Sequence, residues 1–163
     1  MAKNKEEKTN VMRVLEQKKI AYTAHTYPHE EGMAVDGVTV AKSMGFDPAI
    51  VFKTLVARGA SKQYYVFDVP VAENLDLKKA AKAVGEKSIE MIHQKELLPL
   101  TGYVHGGCSP VGMKKLFPTV FHETAENLET MIVSAGKIGY QVELAPHDLA
   151  ELVRAKFADI IVE

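Results

Sequence analysis

Val51-Phe52-Lys53-Thr54-Leu55-Val56-Ala57-Arg58-Gly59-Ala60-Ser61-Lys62-Gln63-Tyr64-Tyr65-Val66-Phe67-Asp68-Val69 is the stretch on which the fold turns. Residues 50–57 are rich in β-branched side chains and predict a strand. Arg58-Gly59-Ala60-Ser61 supplies the turn, and Tyr64 to Val69 predicts a second strand returning alongside the first. A hairpin pairs antiparallel, so the sheet it enters is not the all-parallel sheet of a doubly wound protein. Strands and helices are interleaved elsewhere, several strands being joined by short turns. The fold class expected is therefore α+β with a mixed sheet.

Upstream, Thr9 is placed to cap a first helix carrying Val11, Val14 and Leu15 toward a core. Tyr22 to Tyr27 alternates as a strand does and Pro28 stops it, after which residues 29–37 read as a loop. A short helix is expected from Val38 to Met44, ended by Gly45. Downstream, Asp76 opens a helix with Leu77, Ala80, Ala81 and Val84 at helical spacing, closed by Gly85. Another short helix is expected over Glu90 to Leu98. Strands are expected at Thr119–His122, Met131–Ser134 and Tyr140–Leu144, then a helix from Pro146 through Arg154. Ile160–Val162 is expected to close the sheet.

The chain has 163 residues, enough for one domain with a sizeable core. Residues 1–8, polar and charged, are expected to be a flexible tail, leaving 9–163 as the domain. One cysteine excludes an internal disulfide framework, and no apolar run reaches the length of a membrane span, so a cytoplasmic protein with no membrane partner is expected. The net charge of -1 decides nothing about nucleic acid, because attraction depends on a local patch.

Several motifs fail on inspection. Gly37-Val38-Thr39-Val40-Ala41-Lys42-Ser43 has Ala41 where a phosphate-binding loop needs glycine, and it follows an acidic loop rather than a buried strand. No Gly-x-Gly-x-x-Gly occurs, so no dinucleotide cofactor is expected. Histidines 25, 29, 93, 105, 122 and 147 are dispersed, and Pro28 breaks the helix that would bring His25 and His29 to one ion. No metal and no other cofactor is expected.

Three features survive. From Gly102 to Gly112 there are four glycines, with Gly106-Gly107-Cys108-Ser109-Pro110 at the centre. Backbone free of side-chain bulk can aim N–H groups at one oxygen, of a carboxylate, a phosphate or an ester oxyanion. Within it, Cys108 reads as a small filler rather than a nucleophile: His105 is near in sequence, but no catalytic-cysteine signature surrounds it. The second feature is Lys53, an ammonium in an apolar strand. It requires either escape to water at the sheet edge or an anionic partner, and the strand alone leaves both open. The third is Ser134-Ala135-Gly136-Lys137-Ile138-Gly139, a small-residue turn able to form a second wall of the same pocket.

In combination these motifs resemble the YbaK/EbsC family, relatives of the editing domain inserted in bacterial prolyl-tRNA synthetases. The resemblance runs from about Thr9 to Ile161. It rests on Val51–Leu55, on Leu100 to Gly112, on Ser134–Lys137, and on Val142-Glu143-Leu144-Ala145-Pro146. It implies a mixed, barrel-like sheet with surrounding helices, and a trans-acting aminoacyl-tRNA deacylase that clears cysteine from tRNA for proline. An alanine-specific editor, or a non-catalytic module binding tRNA or a synthetase, are the alternatives. The implied partners are the acceptor end of that tRNA and prolyl-tRNA synthetase.

Lys53 would hold the acceptor-end phosphate or the aminoacyl group, and the backbone between Gly106 and Pro110 would grip the ester carbonyl. Tyr27, Thr54 and Ser134 would line the amino-acid pocket, with Gly136 and Lys137 beside them. Ile138 departs from the family's usual basic residue. The family's mechanism uses the substrate's own thiol, so Cys108 need not react. Lysines 78, 79, 82, 114, 115 and 137 are the candidates for a basic surface toward the acceptor stem.

Overall fold

A computed structural model describes residues 8–29 and 33–163. The chain opens with α1 (Asn10–Gln17), whose N-cap Thr9 accepts a hydrogen bond from the Met12 N–H, and Val11 and Leu15 face the core as their spacing requires. Of the expected tail, residues 1–7 lie outside the described residues, and Lys8 pairs with Glu16 at 2.9 Å. β1 (Thr23–Thr26) leads to α2 (Gly37–Ser43), which Asp36 caps by accepting from the Thr39 N–H. A short 3-10 turn, Pro48–Ile50, then feeds β2 (Phe52–Gly59).

β2 and β3 (Tyr64–Pro70) form the antiparallel hairpin read from the sequence, with Thr54 opposite Asp68 and Leu55 opposite Phe67. Asp76 caps α3 (Leu77–Val84) by accepting from two backbone N–H groups, and Gly85 closes it in a left-handed conformation. The expected helix over Glu90–Leu98 is corrected. Ile89–Met91 is a strand, β4, pairing with β2, and α4 (Gln94–Thr101) begins only after His93. Buried Ile89 anchors the strand, while the Glu96 carboxylate accepts the His93 N–H and fixes the helix start at Gln94 rather than Glu90.

β5 (Thr119–His122), β6 (Met131–Ser134) and β7 (Tyr140–Leu144) fall where expected, followed by α5 (Pro146–Val153). The closing strand is corrected from Ile160–Val162 to β8 (Ala155–Ala158), which follows directly on the left-handed Arg154. Ile161 lies outside β8 and pairs with Leu75 as an isolated bridge.

The strands form two sheets. One has the order β4-β2-β3-β5-β8, with β5 parallel to both β3 and β8; the other is antiparallel, β1-β7-β6. The expected barrel-like closure is corrected: a bridge between Val51 and Ile132 joins the sheets, but no closed barrel forms among the described residues. A core containing Leu15, Phe121, Val133, Val142 and Leu149 lies under α1 and α5, and a second packs α3 through Ala80 and Ala81 onto Phe67 and Val120. β4 covers β2 only from Ala57 to Gly59, so the first half of β2 keeps an edge free of β4.

Candidate active site

At that edge lies a cavity of about 570 Å3. Lys53, Thr54 and Leu55 from β2 line it, with Gly106 and Cys108 from the glycine-rich loop. Tyr27, Ser134, Tyr140 and Gln141 come from the smaller sheet and its approach, and Ala34 to Gly37 from the entry to α2. The three motif-bearing segments, far apart in sequence, thus meet around one space together with the entry to α2.

Gly106 adopts φ +89°, and a Cβ there would stand 2.7 Å from the Cβ of Ala34. At Gly107 a Cβ would come within 3.1 Å of the Ile138 backbone nitrogen, so the loop and the 134–139 turn are in intimate contact. Tyr103 joins the same two segments from behind: its hydroxyl donates to the Val111 carbonyl, and its ring lies where a Cβ on Gly136 would be, 2.9 Å away. Tyr103 lies within the Leu100–Gly112 motif, and its clamping role appears only in the fold.

The loop's backbone donors are not all available. The Gly107 N–H donates to the Val104 carbonyl at 2.9 Å, closing a turn. The Ser109 hydroxyl is fully buried and accepts from the Val111 N–H. Gly107, Ser109 and Pro110 do not line the cavity; they shape the turn that presents Gly106 and Cys108. Gly136 and Lys137 likewise stand outside the lining. Gly136 donates its N–H to the Ser134 hydroxyl, and the Lys137 ammonium lies 5.3 Å from the centre of the Tyr140 ring.

Lys53 is half-buried. Burial lowers its pKa from the usual lysine range, opposed by the carboxylates of Asp36 and Glu73. An ammonium so placed gains from an anionic ligand that replaces lost water. Cys108 is 7% exposed, and burial, with the nearby Asp68 carboxyl, pushes its thiol up to about 12. No hydrogen bond from His105 reaches it among the described residues. A thiol in that state is a poor nucleophile at neutral pH.

Two polar residues beside the site were not singled out in the sequence. Asp68 is fully buried in β3; its Oδ1 accepts from the Thr54 hydroxyl at 2.5 Å, and its Oδ2 has no partner. Gln141 lines the cavity with its Oε1 also unpartnered. The available signal for Asp68 was the one that marked Lys53: a charged residue inside an apolar strand. Among the candidate basic residues, Lys79 is engaged by Asp159 at 3.0 Å and Glu163 at 3.3 Å, and Lys115 sits over the Phe117 ring.

Residues 29–152 match the aminoacyl-tRNA editing domain family. A protein of Enterococcus faecalis named "Putative Cys-tRNA(Pro)/Cys-tRNA(Cys) deacylase EbsC" is 46% identical over 161 residues, which cover 98% of each chain. Solved structures share the fold. A hypothetical protein, APE2540, aligns over 93% of this chain and 99% of its own with a TM-score of 0.82 at 18% identity. A "putative trans-editing enzyme for prolyl tRNA synthetase" gives 0.79 over 94% and 95% of the two chains at 24% identity.

Proposed function

The chain belongs to the aminoacyl-tRNA editing domain family, and from that premise we propose that it is a trans-acting deacylase removing cysteine from mischarged tRNA for proline. The observation that carries the reading is the meeting of a half-buried Lys53 with Gly106 and Cys108 around one cavity, the Cys108 thiol being held neutral. An aminoacyl ester is already activated, so the site has to position it and stabilise the oxyanion rather than supply a strong nucleophile.

Lys53 takes the acceptor-end phosphate or the aminoacyl carbonyl. Gly106 and Cys108 offer backbone toward the ester oxygen, the remaining loop residues holding that backbone in shape. Tyr27, Thr54 and Ser134 enclose the aminoacyl side chain, with the 134–139 turn behind it. The substrate's thiol then attacks its own carbonyl carbon. A C–S bond forms, the ester C–O bond breaks, and the thiol proton passes to the departing ribose oxygen. Water later opens the resulting thiolactone to free cysteine. Binding is expected at the acceptor end of the tRNA, with prolyl-tRNA synthetase as the protein on which the deacylase docks.

The test is release of amino acid from Cys-, Ala- and Pro-charged tRNA for proline by the purified chain. Cysteine is expected to leave fastest. Release of alanine alone would reassign the substrate, and release of none would overturn the enzyme reading.

A further inference from the structure

The unused carboxyl of Asp68 is the feature the chemistry above leaves unexplained. Its side chain is sealed from solvent on the face of β3 that also holds Val66, one strand away from Thr54. The Thr54 hydroxyl has one proton, and it is donated to Asp68 Oδ1. What that hydroxyl can then offer a neighbour is its lone pairs. Thr54 itself lines the cavity, so the carboxyl beneath it determines whether the cavity presents a donor or an acceptor at this point.

We propose that Asp68 is a positioning residue for substrate choice: it holds Thr54 as a hydrogen-bond acceptor, and so favours an aminoacyl side chain that carries a donor, such as a thiol, over a methyl group. This role rests on the deacylase reading. It requires no contact between Asp68 and the substrate. It also accounts for an otherwise costly arrangement, a buried carboxyl with one oxygen unpaired, in a strand whose neighbours Phe67 and Val69 are apolar. Alanine has nothing to donate and gains nothing from the arrangement. Cysteine donates its S–H to the Thr54 oxygen while its sulfur stays within the pocket.

The experiment is kcat/KM for Cys- and Ala-charged tRNA for proline, measured with the wild-type chain, Asp68→Val, Asp68→Asn, Thr54→Val and the Thr54→Val/Asp68→Val double variant. Asp68→Val is expected to lower the rate on the cysteinyl ester by roughly three- to tenfold while leaving the alanyl ester unchanged. Asp68→Asn, whose amide oxygen still accepts from Thr54, is expected to keep most of the preference. The double variant is expected to be no worse than Thr54→Val, because Asp68 acts only through that hydroxyl. Thermal melting establishes that each variant is folded; the asparagine variant carries the test should the valine variant fail to fold.

An active wild type whose Asp68→Val variant keeps its full Cys-over-Ala ratio overturns the role of Asp68 alone. So do additive losses in the double variant, or an asparagine variant that loses the preference entirely. A wild type that hydrolyses neither ester overturns the deacylase reading, and the role with it.

Discussion

Asp68 and Cys108 show how burial alone separates what a side chain is from what it can do. Burial pushes the Asp68 carboxyl up to about 7 from the ordinary value of 3.8, Thr54 opposing the shift by donating to it. A carboxyl raised in the folded state binds more protons than in the unfolded chain between those two values. Stability therefore falls as pH rises from about 4 to 7 and levels off above that. Asp68→Asn removes the penalty. The variant is expected to match the wild type near pH 4 and to exceed it by up to about 4 kcal/mol at pH 8, read by denaturant melts across that range. A gap that does not change with pH would contradict this account. Cys108, held neutral, is expected to be dispensable for chemistry: Cys108→Ala keeps most deacylation, whereas Lys53→Ala loses about a hundredfold or more. Loss of turnover in a folded Cys108→Ala variant would make the thiol a participant.

At the scale of elements, the glycine-rich loop is held in place by its contacts. Gly106→Ala puts a Cβ into a backbone with φ +89° and within 2.7 Å of Ala34, both unfavourable. The expected outcome is a loss of about 1–3 kcal/mol in melting experiments, together with a larger fall in deacylation than any lowered stability explains. Retained activity would place the ester elsewhere than against this loop. The starts of α1 and α3 were legible in the sequence because caps are local. Thr9 and Asp76 each satisfy N–H groups two or three residues ahead, so the whole interaction lies within a few residues of sequence. β4 was not legible. Its three residues, Ile89 to Met91, become a strand only because β2 offers an edge there, and that edge is thirty residues away. The closing strand was misplaced for a related reason. Ala155–Ala158 has little strand character of its own and is recruited by parallel pairing to β5.

For the molecule as a whole, the cavity exists because β4 stops short on β2 while the smaller sheet attaches through Val51 and Ile132. An RNA ligand reaching it is expected to bind with a log-log salt slope of about -0.7 for each single-stranded phosphate neutralised. Lys79→Ala is expected to leave that slope unchanged, since Asp159 and Glu163 already hold the ammonium. Filter binding from low to moderate salt checks both, and a flat dependence would remove the phosphate contacts. By itself the sequence determined the α+β class, the central hairpin, the caps that open α1 and α3, and the three segments that meet at the cavity. Each of these depends on neighbours a few residues apart. Only the tertiary structure decided which of those residues face a common space. It turned Gly107, Ser109 and Pro110 inward to shape the loop, left Lys53 and Gly106 facing the cavity, and placed Asp68 under Thr54. Burial and partnership across strands are set by chain segments far apart, and no local pattern encodes them.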